Sequence, residues 1–124
     1  MRERWVLELE PEVRDWLASL SIPHYRTVER HADRLADHPT TLGEPYSRHL
    51  DGPVRELRFI LGSEAVRVTY WLAPQRRIVL LTVFRKTRMR EETQVQRALW
   101  AQKECEAEHS AAEEMYHRAW KEQL

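Results

Sequence analysis

VRELRFILGSEAVRVTYWLAPQRRIVLLTVF, residues 54–84, is the stretch that decides the fold. It breaks into three strand-like runs, VRELRFIL at 54–61, EAVRVTYWL at 64–72 and RRIVLLTVF at 76–84. Gly62-Ser63 between the first two is a two-residue turn with glycine first, as a type II′ hairpin requires. Ala73 to Gln75, with Pro74, makes the next turn. The third run is apolar on both faces, which predicts a central strand. Alternate residues of a strand share a face. Leu57 and Phe59 are therefore expected on the buried face, and Glu56 and Arg58 on the other. In the next run Val66, Val68 and Tyr70 form one face, and Arg67, Thr69 and Trp71 the other.

Working outward, RWVLEL at 4–9 alternates as a short strand. Pro11 suits the first turn of a helix, and Val13, Trp16, Leu17 and Leu20 follow on one helical face. Pro23 opens a second helix with an apolar face of Tyr25, Val28, Ala32, Leu35 and Ala36. It ends near His38, because the residue before Pro39 is pushed out of the helical region. The connection is so short that the two helices are expected to form an antiparallel hairpin. Residues 39–53, rich in Pro, Gly and Thr, read as a loop. From about residue 91 the pattern is helical, without Gly or Pro. Val95, Ala98, Leu99 and Gln102 make one face, and Ala112, Met115, Tyr116 and Ala119 another. The order β-α-α-β-β-β-α predicts an α+β domain, two helices on one face of an antiparallel sheet and a third helix trailing it. At 124 residues the chain reads as one domain, with residues from about 100 to 124 a helical extension.

The net charge of zero conceals a division. Residues 46–100 carry 11 basic and 5 acidic residues, whereas 1–45 carry 6 and 9, and 101–124 carry 3 and 6. Clustered charge builds a local potential even when the total cancels. Four cations, Arg85, Lys86, Arg88 and Arg90, follow the third strand directly. With Arg58 and Arg67 on one sheet face and Tyr70 or Trp71 nearby, they suit single-stranded nucleic acid, where cations hold phosphates and rings stack on bases. An ordinary solvated face, with Arg58 paired to Glu56 or Glu64, accounts for the same spacing.

Other chemistries find little support. His24, His31 and His38 recur every seven residues, about 10.5 Å apart along a helix, far too wide for one ion. His109 and His117 are eight apart and fail the same way. No metal site or other cofactor is expected. The single cysteine, Cys105, sits among glutamates that raise a thiol's pKa, so it is a poor nucleophile. There is no glycine-rich phosphate loop and no run approaching the roughly 20 apolar residues of a membrane span. A soluble protein of the cytoplasm is expected, without a membrane partner.

GEPYSRHLDGPVRELRF, then VRVTYWL, then RRIVLLTVFRKT and a Glu-rich helix resemble the RelE/ParE superfamily of toxins from type II toxin–antitoxin systems, most closely its HigB-like branch. The resemblance spans residues 4–100 or so and implies a RelE-like α+β fold. It implies a ribosome-dependent, metal-independent mRNA endonuclease that inhibits translation, with ribosome, mRNA and a cognate helix-turn-helix antitoxin as partners. By position it assigns Arg67 as the strand arginine that contacts phosphate, Arg58 as the arginine of "E-L-R", and Lys86, beside Arg85, as the terminal cation. Arg88 and Arg90 then steer RNA, with Tyr70, Trp71 and His49 near it. Two departures stand out. Glu91-Glu92-Thr93 stand where the family often has a proline, and no His or Tyr lies between Trp71 and His109 to move a proton. His49, Tyr46 and Tyr70 are the possible substitutes. A ParE-like inhibitor of gyrase without catalysis, or an inactive nucleic-acid-binding module, fits the same pattern.

Overall fold

The computed structural model describes residues 4–87 and 91–123, with side chains as far as 108. Arg88, Arg90 and the second apolar face expected on the last helix lie outside the described residues. The chain runs β1 (Val6–Leu9), α1 (Pro11–Ala18), α2 (Ile22–Asp37), β2 (Ser47–Asp51), β3 (Val54–Leu61), β4 (Glu64–Ala73), β5 (Arg77–Arg85) and α3 (Glu92–Gln123). The five strands form one sheet in the order β1-β5-β4-β3-β2. The sheet is mixed, because β1 runs parallel to β5 while the other neighbours are antiparallel. No helix among the described residues is long and apolar enough to cross a membrane.

The expected turn forms where the sequence places it. Leu61 pairs with Glu64, and Gly62 takes a φ of 60°, a conformation that costs a residue without a Cβ little. The alternation of β3 and β4 then sorts their side chains. Leu57, Phe59, Leu61, Val66, Val68 and Tyr70 join Val13 of α1 and Val28 and Leu35 of α2 in one core. Trp5, Leu7, Trp16, Leu17 and Leu20 pack around it, whereas Tyr25, expected on the α2 face with Val28 and Leu35, stays exposed. Ser21 caps α2 by accepting from the His24 amide, which sets the helix start beside Pro23. On the other sheet face Val54, Trp71, Ala73, Val79 and Leu81 meet Ala98, Leu99 and Cys105 of α3. β5 is apolar on both faces because it lies between these two cores.

Two features depart from the sequence reading: the sheet, expected antiparallel, has a parallel edge because β1 joins β5, and one strand was not foreseen. Residues 47–51, expected as loop, form edge strand β2, paired to β3 with a register shift between His49 and Asp51. SRHLD offers one apolar residue, so neither periodicity nor propensity announces a strand. Its pairing comes from the hairpin through Gly52, φ 51°, and from Ser47, which is fully buried against the Tyr70 hydroxyl.

β1 pairs with β5 only as far as Leu80, so the rest of β5 lacks a strand on that side. Side chains take over there. The Val83 amide donates to Glu12 Oε2 at 2.9 Å, its carbonyl accepts from Arg97 Nη2 at 3.2 Å, and Arg97 also pairs with Glu12. This ion pair blunts a free strand edge and ties α1, β5 and α3 together. Arg97→Ala is expected to lower stability by about 1 kcal/mol at most, since both partners are over a third exposed and screened. It should raise amide hydrogen exchange at Val83 well above that at Thr69, which lies inside the sheet.

Candidate functional site

The antiparallel register brings the polar residues of the sheet together. Arg58 on β3 stands directly opposite Arg67 on β4, and Arg67 directly opposite Phe84 on β5. One row along, Arg48 of β2 faces Glu56, Glu56 faces Thr69, and Thr69 faces Thr82. α3 covers the part of this face that carries Val54, Trp71 and Leu81. It leaves the arginine end open as a cleft of about 470 Å³, lined by Arg48, His49, Leu50, Glu56, Phe84, Lys86, Glu91 and Val95.

Glu56 is the centre of this arrangement. Its side chain is almost fully buried, with Oε1 3.7 Å from Arg67 Nε and 3.8 Å from Arg58 Nε. The face was expected to be exposed, but Arg67 is only 8% exposed and Arg58 half-buried. Burial pushes the Arg67 pKa below its ordinary value; the like charges of Arg58 and Arg48 push the same way, while Glu56 opposes them. Arg67 stays a cation at any physiological pH. Its Nη1 donates to the Val66 carbonyl at 3.1 Å, while the Nε groups of both arginines have no hydrogen-bond partner among the described residues.

The cleft's far wall is the exit of β5. The Lys86 amide donates to the Ala65 carbonyl at 2.8 Å, which extends the β4 pairing by one residue. Glu91 then accepts from both the Thr87 amide (3.1 Å) and the Thr87 hydroxyl (2.8 Å). These hydrogen bonds, and more weakly the Lys86 charge, hold the Glu91 carboxyl below the usual carboxylate range. At the opposite wall, a ring nitrogen of His49 lies 2.9 Å from the Gly52 carbonyl. A carbonyl only accepts, so Nε2 carries the proton and Nδ1 is the ring's acceptor when neutral.

The structure thus sets Lys86 and His49 on one cleft, with Arg58 and Arg67 held against the Glu56 that lines it, and separates them from the rest of the predicted set. Arg85 pairs across the sheet with Val66, a residue of the opposite core, and its guanidinium is engaged by Glu64 at 2.8 Å. The stacking roles expected of Tyr70 and Trp71 do not fit. Tyr70 is fully buried with its hydroxyl on Ser47 and Arg55, and Trp71 is 5% exposed beneath α3. Both sit on a central strand whose two faces are covered, so their aromaticity serves packing. Tyr46 lies beneath Arg34 in a cation–π contact, 4.0 Å from ring centroid to guanidinium. Burial is the leading cause that raises the Cys105 thiol, with the Glu10 charge adding to it. Sequence reasoning missed Arg48, Phe84 and Glu91. Arg48 was hidden in a strand read as loop, and the alternation Phe84–Lys86 was the available signal for the ring.

Arg48 and Lys86 line the cleft with Glu56 and Glu91, and Arg58 and Arg67 lie against Glu56, so four cations against two carboxylates favour an anion there. Guanidinium forks match phosphate oxygens in geometry as well as charge.

A family model described as "Phage derived protein Gp49-like (DUF891)" matches residues 15–106. No curated protein matches the chain. Among solved structures, an arginine-substituted mutant of the E. coli toxin RelE in the free state is similar, at 14% identity, a TM-score of 0.55, and coverage of 82% of this chain and 98% of that one. RelE in the archaeal RelE–RelB complex from Pyrococcus horikoshii OT3 gives 23% identity, a TM-score of 0.55, and coverage of 70% and 100%. The intact E. coli RelBE toxin–antitoxin complex gives 12%, 0.52, and 68% and 99%. At these identities the likeness establishes the fold.

Two measurements check the site. Tyr70→Phe should cost about 1–3 kcal/mol in chemical denaturation, because it strips a buried hydrogen-bond partner from Ser47 and Arg55, and should leave anion binding at the cleft unchanged. The Glu91 carboxyl has a lowered folded pKa, so its contribution is present above the unfolded value and lost as pH falls through the folded one. The Thr87 amide resonance should therefore titrate below the ordinary carboxylate range, and the titration should vanish in Glu91→Gln.

Proposed function

We propose that this chain, which belongs to the phage-derived Gp49-like family, is the toxin of a type II toxin–antitoxin pair, of the HigB-like kind, that cleaves mRNA on the ribosome. The observation that carries the reading is the buried Arg67, held with Arg58 against Glu56, a carboxylate that lines the same cleft as Lys86 and Arg48. Its fold is the one found in RelE, and RelE is seen in complex with the antitoxin RelB. An antitoxin is accordingly the expected partner of this chain.

In this reading the RNA 2′-hydroxyl attacks the adjacent phosphorus and the bond to the 5′ oxygen breaks. The products are a 2′,3′-cyclic phosphate and a 5′-hydroxyl. Negative charge grows on the phosphate oxygens, where preorganised cations are worth most. Arg67 and Arg58 serve there, with Lys86 at the β5 exit. His49 Nδ1 takes the 2′-hydroxyl proton, and the same ring returns it to the departing oxygen. Of the three groups considered for this task, Tyr70 is buried and Tyr46 lies beneath Arg34, while His49 lines the cleft.

Induced expression should arrest growth, and co-expression of a neighbouring antitoxin gene should restore it. Arg67→Ala with Lys86→Ala should abolish arrest while the purified protein keeps its fold by circular dichroism; undiminished arrest would contradict the assignment. His49→Ala should slow cleavage by about 10²–10⁴-fold, the usual worth of a positioned proton-transfer group.

A further inference from the structure

Arg58 and Arg67 pose an energetic problem. Like charges directly opposite on neighbouring strands repel, and an uncompensated buried cation is strongly destabilising. Glu56 is the carboxylate that meets both, one residue before Leu57 on β3 and itself 6% exposed. It meets them by charge, at 3.7 and 3.8 Å, and leaves the Nε–H of each arginine without a hydrogen-bond partner among the described residues. Two buried donors are thus held side by side and unspent, at a cleft whose lining includes the carboxylate itself.

We propose that Glu56 is a positioning residue: it holds Arg58 and Arg67 together before substrate arrives and yields them to the RNA phosphate as charge builds in the transition state. The inference rests on the RNA-cleavage reading and assigns a further residue to its site. A carboxylate beside a phosphate site opposes binding of the ground state. Its benefit must therefore appear in turnover, where the aim of the two guanidiniums matters. Glu56→Gln keeps the size of the side chain and removes the charge. It should bind an uncleavable 2′-O-methyl oligonucleotide roughly fivefold more tightly, because one repulsive charge is gone. It should cleave ribosome-bound mRNA about 10²-fold more slowly, because the arginines are no longer aimed. A purely structural role would weaken binding and cleavage together, and simple repulsion would make both better when relieved. Either result overturns the proposal.

A second readout requires no cleavage. In the full chain, the Nε–H resonances of Arg58 and Arg67 should be resolved and slow to exchange with solvent, and in Glu56→Gln they should broaden toward those of exposed arginines. If wild type shows this dependence on Glu56 yet cuts no RNA, the functional reading fails and the positioning role in cleavage fails with it, leaving only the holding of the two arginines. If wild type cuts RNA while Glu56→Gln keeps both resonances and its rate, the positioning role fails. Should Glu56→Gln not fold, Glu56→Gln with Arg67→Gln removes one charge of each sign. That pair should fold if Glu56 acts by offsetting Arg67, and its failure to fold overturns the proposal.

Discussion

The register of β3 against β4 is the constraint on which the rest depends. Because side chains alternate with a period of two, a slip of β3 by one residue would turn Arg58 into the core and Leu57 out of it, and a slip of β4 would do the same to Arg67 and Val68. The Gly62–Ser63 turn prevents this by fixing Leu61 against Glu64, and every pair down to Val54 and Trp71 follows. The same register sets Arg58 opposite Arg67, and β5 then sets Phe84 against Arg67. Burying two opposed cations is tolerable because Glu56 lies two residues from Arg58 on the same face. A single turn thus fixes the packing of one face and the electrostatics of the other.

α3 determines how much of that second face is accessible. It seals the apolar part through Ala98 and Leu99 and stops short of the arginines. The bridge from Thr87 to Glu91 anchors the approach to the helix, so Lys86 and Glu91 share a wall of the cleft. The ion pair of Glu12 and Arg97 fastens the helix to the bare edge of β5. Rigid strands carry Arg48, Arg58 and Arg67, as suits a site whose proposed work is electrostatic preorganisation.

Much of this was legible in the sequence because it rests on strong local signals. The three long strands alternate cleanly, the Gly62 turn is unambiguous, and Pro11 and Pro23 mark two helix starts. The faces of Arg58 and Arg67 followed from counting by two. What escaped depends on tertiary context. β2 is held by one hairpin and the buried Ser47, not by its own pattern, and with it went Arg48. Tyr70 and Trp71 look alike to a sequence reading whether they meet bases or cores, and only the positions of α1, α2 and α3 show that both are covered. Arg85 and Lys86 are adjacent in the chain yet diverge, one to Glu64 and one to the cleft, because a strand separates neighbours. Burial of Glu56 between two arginines was visible only as one of two possible surface pairings for Arg58.

The central claim is that the Arg58–Arg67–Glu56 cluster serves cleavage of an RNA backbone. Mapping the 5′ ends of cellular transcripts minutes after induction addresses it most directly. The account predicts new 5′-hydroxyl ends inside translated reading frames, in phase with codons and dependent on active ribosomes. Intact transcripts accompanied by DNA damage would contradict it and point to inhibition of gyrase instead.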